Sequence, residues 1–144
     1  MDGQLLIGIT WTCFTIGVAT AFIGSMAGAA KWCSARMGHW PRWLRENLLI
    51  MVCVIWLLMG VIAVAACWAW LFLRTDALAD ASTAFYFALV CITTVGFGDI
   101  ILPQETRLLA AFSSAGGFVV FGLYTAAIFE VYRSLRGEVA AANE

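Results

Sequence analysis

The sequence predicts an all-α membrane protein with three transmembrane helices and one shorter helix that enters the bilayer and returns. Composition is the first reason. Of the 144 residues, 63% are hydrophobic and 12% are charged, and the mean hydropathy is +0.93. These values lie far outside the range of soluble globular proteins. The formal net charge of −1 gives no indication of nucleic-acid binding.

The distribution of charge is the second reason. Residues 3–30, 47–73 and 108–129 contain no Asp, Glu, Lys or Arg, and each stretch reaches the roughly 20 residues that a helix needs to cross hydrocarbon. The first stretch ends in a sequence that resembles a signal-peptide cleavage site. Its amino-terminal flank, however, carries Asp2 and no basic residue, so we interpret it as a membrane helix.

Small residues form a stripe along the first span. Gly17, Ala21, Gly24 and Gly28 recur at helical spacing, and the last two are a small-xxx-small pair of the kind that allows close helix packing. We expect this stripe to pack on another span, namely the one beginning near Leu48.

A fourth uncharged stretch, residues 81–98, is different. Its helix-like part, ASTAFYFALVCI, has 12 residues and would cover about 18 Å at 1.5 Å per residue. A hydrocarbon core of about 30 Å is too thick for it to cross. Asp80 precedes it as a candidate N-cap. The segment must therefore lie flat or dip into the bilayer and return on the same side.

The basic residues indicate the orientation. The 31–46 segment carries four of the eight Lys and Arg residues, and two more follow the last span. Placing both groups inside predicts an external amino terminus and a cytoplasmic carboxyl terminus in the cell membrane. Trp32, Trp40 and Trp43 within the 31–46 segment are typical of interfacial anchoring, and a collar that contacts anionic membrane lipid is the alternative.

The sequence TTVGFGDI, residues 93–100, follows the short helix. Irregular backbone at membrane depth must be buried in protein or line a pore. An ordinary strand alternates its carbonyls, whereas backbone that alternates left-handed and right-handed conformations can align them, and glycine adopts φ > 0 without steric cost. Gly96 and Gly98 supply such positions. The carbonyls of Thr94, Val95, Gly96 and Phe97, with the Thr94 hydroxyl, would then form rings of oxygen around a dehydrated monovalent cation. Since one loop cannot close a ring, a symmetric homo-oligomer is expected.

With its flanking span, short helix and second span, this loop resembles the pore module of potassium channels, whose TVGYG loops coordinate K⁺ through carbonyl oxygens. The resemblance covers residues 47–136. It implies a homotetramer, K⁺ as the permeant ion without an organic cofactor, and a selectivity filter formed by Thr94, Val95, Gly96, Phe97 and Gly98. It also implies that Thr93, Asp99, Tyr86 and Phe87 support the filter. Many family members have two tryptophans where Tyr86 and Phe87 stand, so the usual N–H donors to the Asp99 position are missing.

The predicted organisation is therefore a transmembrane helix (1–30), a cytoplasmic interfacial segment (31–46), the pore module (47–136) and a short cytoplasmic tail (137–144). Such a tail has no room for a ligand-binding domain, so we expect any regulator of that kind to be a separate chain. In the last span, Phe118, Phe121, Thr125 and Phe129 recur at intervals of three and four residues and would share one helix face. This face is a candidate gate, and Gly116 and Gly117 are a candidate hinge, although simple packing explains two glycines equally well.

Other functions fit less well. A phosphate-binding loop would need a following lysine, and a proton-coupled transporter would need ionisable residues in its spans. An enzyme is disfavoured because His39, the one histidine, has no cluster of acids or cysteines around it. A silent or regulatory subunit without conduction of its own remains the alternative.

Overall fold

The structure is a computed structural model that describes residues 2–36 and 40–141. About 82% of it is helical and the described part contains no strand, which confirms the all-α prediction. The four helices are α1 (Asp2–Arg36), α2 (Arg42–Arg74), α3 (Ala81–Ile92) and α4 (Arg107–Ala141). Residues 37–39, which include His39, and residues 142–144 lie outside the described part of the chain.

Three of the helices are long and apolar enough to cross a membrane, and α3 is not. The candidate spans are Gly3–Ala30, Trp43–Arg74 and Arg107–Arg133, in agreement with the three uncharged stretches. Helix α3 has 12 residues, as its sequence predicts. The described part of the chain therefore has three candidate membrane spans, with one short helix between the second and third.

Helix α3 lies between α2 and α4, held by a core of large apolar side chains. Phe72 of α2 is fully buried and makes an edge-to-face contact with Phe87 of α3, with ring centroids 5.2 Å apart. Trp68, one turn earlier, packs against Phe72 at 5.9 Å. On the other side of α3, Ile92 is fully buried against α4. Aromatic pairs in this geometry are favourable beyond the area they bury, so these contacts fix α3 against its neighbours.

Helix α1 packs on both α2 and α4 through its amino-terminal half. The Trp11 ring stacks on Trp70 with centroids 5.4 Å apart and planes 12° apart, and Trp11 Nε1 donates to the Cys67 carbonyl at 3.3 Å. Toward α4, Gly8 lies directly against the Phe112 ring, where an added Cβ would overlap the ring edge. The extra helix is thus attached to the inner core of the fold.

The predicted packing of the glycine stripe is wrong. Gly17, Gly24 and Gly28 are exposed, and a Cβ added at each would meet no atom within 4 Å. The carboxyl-terminal half of α1 contacts α2 through bulky side chains instead. The centroid of the Phe22 ring lies 6.0 Å from that of the Trp56 ring of α2. Small residues permit a close helix approach but do not require one when large side chains occupy the facing positions.

Candidate functional site

The amino-terminal end of α3 is capped by Asp80, as predicted. Its carboxylate accepts hydrogen bonds from the Thr83 amide at 2.8 Å and from the Ser82 and Thr83 hydroxyls at 2.5 and 2.9 Å. These bonds, the one from Ser82 first, lower the pKa of Asp80 from 3.8 to about 2. Because the pKa is lowered, the cap stabilises α3 above about pH 4 and its contribution is lost as the pH falls through about 2.

The loop after α3, residues 94–98, is tied to the carboxyl end of the helix through its amides. The amide of Thr94 donates to the Cys91 carbonyl at 2.9 Å, and the amides of Val95 and Gly96 both donate to the Val90 carbonyl, at 3.1 and 3.3 Å. Within the described part of the chain, none of the carbonyls from Thr94 to Phe97 accepts a backbone hydrogen bond. The amides of Thr94, Val95 and Gly96 therefore face α3, and the carbonyls from Thr94 to Phe97 remain available to a ligand.

Backbone conformation alternates along this loop. Gly96 and Gly98 have φ of +54° and +75°, which confirms the sequence-based expectation for both. Thr94 also has a positive φ, +58°, and sequence reasoning missed it. The signal was present, since continuing the two-residue alternation backward from Gly98 and Gly96 reaches Thr94. A β-branched residue at positive φ is a strained outlier that costs ~1–3 kcal/mol, and such strain is concentrated at functional positions.

Asp99, directly after the loop, is held by Tyr86. The Tyr86 hydroxyl donates to Asp99 Oδ2 at 2.8 Å, and this hydrogen bond raises the pKa of Tyr86. Tyrosine therefore supplies the donor that the missing tryptophans would have supplied. The sequence contained the clue, because tyrosine is the one residue of the Tyr86–Phe87 pair with a side-chain donor.

The other supporting residues have separate roles. Phe87 is 7% exposed and fixes α3 to α2 through its contact with Phe72. The Thr93 hydroxyl donates to the Leu89 carbonyl at 2.7 Å, which also accepts from the Thr93 amide at 2.9 Å, so both donors of Thr93 bond back to α3. Of the four predicted supporting residues, Tyr86 bonds to Asp99 directly after the loop, Thr93 bonds back to α3, and Phe87 packs on α2.

Gly116 and Gly117 lie at the points where α4 meets its neighbours. A Cβ added at Gly117 would overlap the Ile92 carbonyl oxygen and lie 2.7 Å from the carbonyl carbon. At Gly116 it would lie 3.2 Å from Thr12 Cγ2 of α1. Helix α4 continues without a break from Arg107 to Ala141. These glycines therefore have a packing role, and their role as a hinge stays a prediction.

The candidate gate residues share an exposed side of α4. Phe118, Phe121 and Phe129 are 74%, 37% and 66% exposed, and the Thr125 hydroxyl on the same face donates to the Phe121 carbonyl at 2.8 Å. One turn beyond Phe129, the Arg133 guanidinium donates to both oxygens of Glu130 at 3.0 and 2.9 Å. In the described part of the chain Phe118 and Phe129 are largely uncovered, whereas Phe121 and Thr125 border a small cavity whose other wall is α2. The position of this face relative to a pore axis stays a prediction.

Two candidate spans flank a short apolar helix and a loop with unbonded carbonyls, which is the arrangement expected of a membrane pore module. Comparison with protein families gives the same class. A family model described as "Ion channel" matches residues 51–134, which is more than half of the 144 residues. The chain belongs to this ion-channel family, and its three apolar helices indicate a multi-pass membrane protein. No curated protein and no solved structure matches the chain significantly.

Proposed function

We propose that the chain forms a homotetrameric channel that conducts K⁺ selectively and passively. The observation that carries the proposal is the geometry of the 94–98 loop. Left-handed backbone at Thr94, Gly96 and Gly98 and amides bonded back to α3 leave successive carbonyls to replace the hydration shell of an ion. The carbonyls of Thr94, Val95, Gly96 and Phe97 would provide the K⁺ sites. Tyr86 and Asp99 would keep the loop from spreading.

Exposure of the loop supports an oligomer. In the single chain, Val95 is 53% exposed, Phe97 68% and Ile101 85%, so the apolar side chains of the loop and of Ile101 are uncovered. Further copies of the same loop would both cover these side chains and close the ring of oxygens. The resemblance to potassium channels implies four copies. Native mass spectrometry of the detergent-solubilised protein is expected to show a tetramer, and a monomer or dimer would contradict this assembly.

Ion flux tests selectivity directly. Purified protein is placed in liposomes without any other chain, and K⁺ and Na⁺ fluxes are compared under equal gradients. We expect K⁺ to permeate far better than Na⁺, because carbonyl rings at a fixed spacing favour one ion over the other. Equal fluxes would contradict selectivity. Absence of flux from folded tetramers would favour the silent subunit.

The exposed face of α4 suits a gate. If Phe129 from four chains surrounds the axis, the ring would exclude ions by dewetting, with Gly116 and Gly117 as the site of bending. Phe129→Ala is then expected to raise basal K⁺ flux, while Ile62→Ala, which also truncates an exposed apolar side chain, 53% exposed on α2, should not. If substitutions at Phe118 or Phe121 raise flux and Phe129→Ala does not, the constriction lies higher in the pathway.

A further inference from the structure

A lateral cavity opens between α1 and α2 at the end of α1 that lies farthest from Asp2. Its volume is about 590 Å³, within the ~300–1,000 Å³ that is usual for ligand sites. The walls are formed by residues between Ser25 and Cys33 on α1 and by Val52 and Trp56 on α2. The α1 wall runs from Ser25 to Cys33, which is eight steps along the helix or about 12 Å at 1.5 Å per residue, and it begins inside the Gly3–Ala30 span. The cavity therefore extends from the membrane interface into the hydrocarbon.

The interior of the cavity can accept only an apolar group. Its hydroxyl, Ser25, is already engaged, because Ser25 Oγ accepts from Trp56 Nε1 at 3.1 Å and donates to the Phe22 carbonyl at 3.0 Å. The remaining walls are Gly, Ala, Val, Cys and Trp side chains. A polar occupant would lose its hydrogen bonds to water without replacement, which is costly.

The mouth of the cavity carries a positive charge. Trp32, which lines the cavity, is 64% exposed and carries the Arg36 guanidinium 3.6 Å above the centre of its ring. Arg36 also donates to the Trp32 carbonyl at 3.4 Å. A cation stacked on a tryptophan is held in place, and both residue types are typical of the membrane interface.

We propose that this cavity binds an anionic phospholipid, with one acyl chain between α1 and α2 and the headgroup phosphate at Arg36. Charge complementarity selects the anionic class, because Arg36 lies at the mouth of the cavity and the sequence of the 31–46 segment carries four basic residues against one acidic residue, which favours anionic headgroups. The apolar depth of the cavity matches an acyl chain, and Arg36 lies at headgroup level. The site is formed within one chain and does not depend on ion selectivity.

Filling the cavity is the first test. A Cβ added at Gly28 meets nothing within 4 Å, so Gly28→Leu can fold and place its side chain in the cavity. Gly17→Leu is the matched control, since Gly17 is equally open on the same helix but lies outside the cavity. Purified protein is exchanged into equal amounts of phosphatidylglycerol and phosphatidylcholine, and retained lipid is counted by native mass spectrometry. We expect the wild type and Gly17→Leu to retain phosphatidylglycerol. The amount of phosphatidylglycerol that Gly28→Leu retains should be lower by about fivefold or more.

Removing the charge of Arg36 is the second test. Because Arg36 is exposed, its substitution should leave the fold intact. Arg36→Gln is expected to keep a bound phospholipid but to lose the preference for phosphatidylglycerol. Equal retention of the two lipids by the wild type would overturn the proposal, as would unchanged retention by Gly28→Leu. Dissociation of the oligomer by Gly28→Leu with lipid retention intact would also overturn it, because a neighbouring chain would then cover the cavity.

Discussion

Two pairs of glycines, Gly96 with Gly98 and Gly116 with Gly117, serve opposite physical needs in this channel. The first pair adopts positive φ, and an added Cβ at either residue would meet no atom within 4 Å. The second pair lies in a regular helix, and an added Cβ at Gly117 would overlap the backbone of Ile92. The first pair is glycine because of conformation and the second because of space.

The two pairs are also connected. Gly117 contacts the end of α3, from which the 94–98 loop begins, and Gly116 contacts Thr12 of α1 on the adjacent side of the same helical turn. One turn of α4 therefore touches both the helix that carries the loop and the additional amino-terminal helix. A Gly-Gly motif in a membrane helix therefore indicates close contact as readily as bending.

The largest effect is expected from Gly96→Ala. The methyl group has room, but left-handed backbone costs a non-glycine residue ~1–2 kcal/mol, and the change recurs in every chain around the ring. We expect K⁺ flux in liposomes to fall by about tenfold or more, while circular dichroism shows an unchanged helix content. Gly122→Ala is the control, because Gly122 is helical, exposed and uncrowded. Normal conduction by Gly96→Ala would show that the loop does not require left-handed backbone there.

Gly117→Ala is expected to act on packing. The overlapping atoms belong to the backbone of Ile92, which cannot rotate away, so α3 must shift; overpacking of this kind costs ~1–3 kcal/mol. Thermal unfolding in detergent should show a clear loss of stability, accompanied by lower K⁺ flux. Gly116→Ala should have a smaller effect, since its contact is one Thr12 methyl at 3.2 Å, which must move by only a few tenths of an ångström. Equal effects of the two substitutions would refute the assignment of the contact to Gly117.

Tyr86→Phe tests whether the loop needs support from behind as well as the correct backbone. Removal of the hydroxyl leaves Asp99 without the donor at 2.8 Å, and we expect K⁺ flux to fall severalfold and to decline faster when external K⁺ is low. Asp99→Asn keeps an oxygen that can accept from Tyr86, so it should conserve more flux. If Asp99→Asn is the more damaging change, the charge of Asp99 matters more than the hydrogen bond.

The smallest effect is expected from Gly17→Ala, because Gly17 is required neither for positive φ nor for close packing. Gly17 has no positive φ, is exposed, and has room for a methyl group. Alanine should stabilise α1 by roughly 0.5–1 kcal/mol through helix propensity, without changing flux. A loss of stability measured by thermal unfolding would indicate that another chain packs on this stripe in the assembled channel.

The sequence by itself determined the features that depend on local chemistry. Uncharged stretches of sufficient length specify three crossings, 12 apolar residues cannot span the bilayer, and Asp80 caps the helix that follows it. Gly96 and Gly98 can adopt positive φ because they lack Cβ atoms, and the structure has positive φ at both. Each of these inferences uses residues close together in the chain, where spacing and residue type are sufficient.

The tertiary structure decided which distant groups meet. Tyr86 reaches Asp99 because α3 and the loop fold back on each other, and Gly117 is required because the end of α3 approaches α4 there. The small-residue stripe on α1 shows why packing could not be predicted from one helix. Small residues make a close approach possible, but Trp56 of α2 bonds to the neighbouring face of α1 at Ser25 instead. Contacts between helices depend on the relative rotation and depth of both partners, and periodicity within one helix specifies neither.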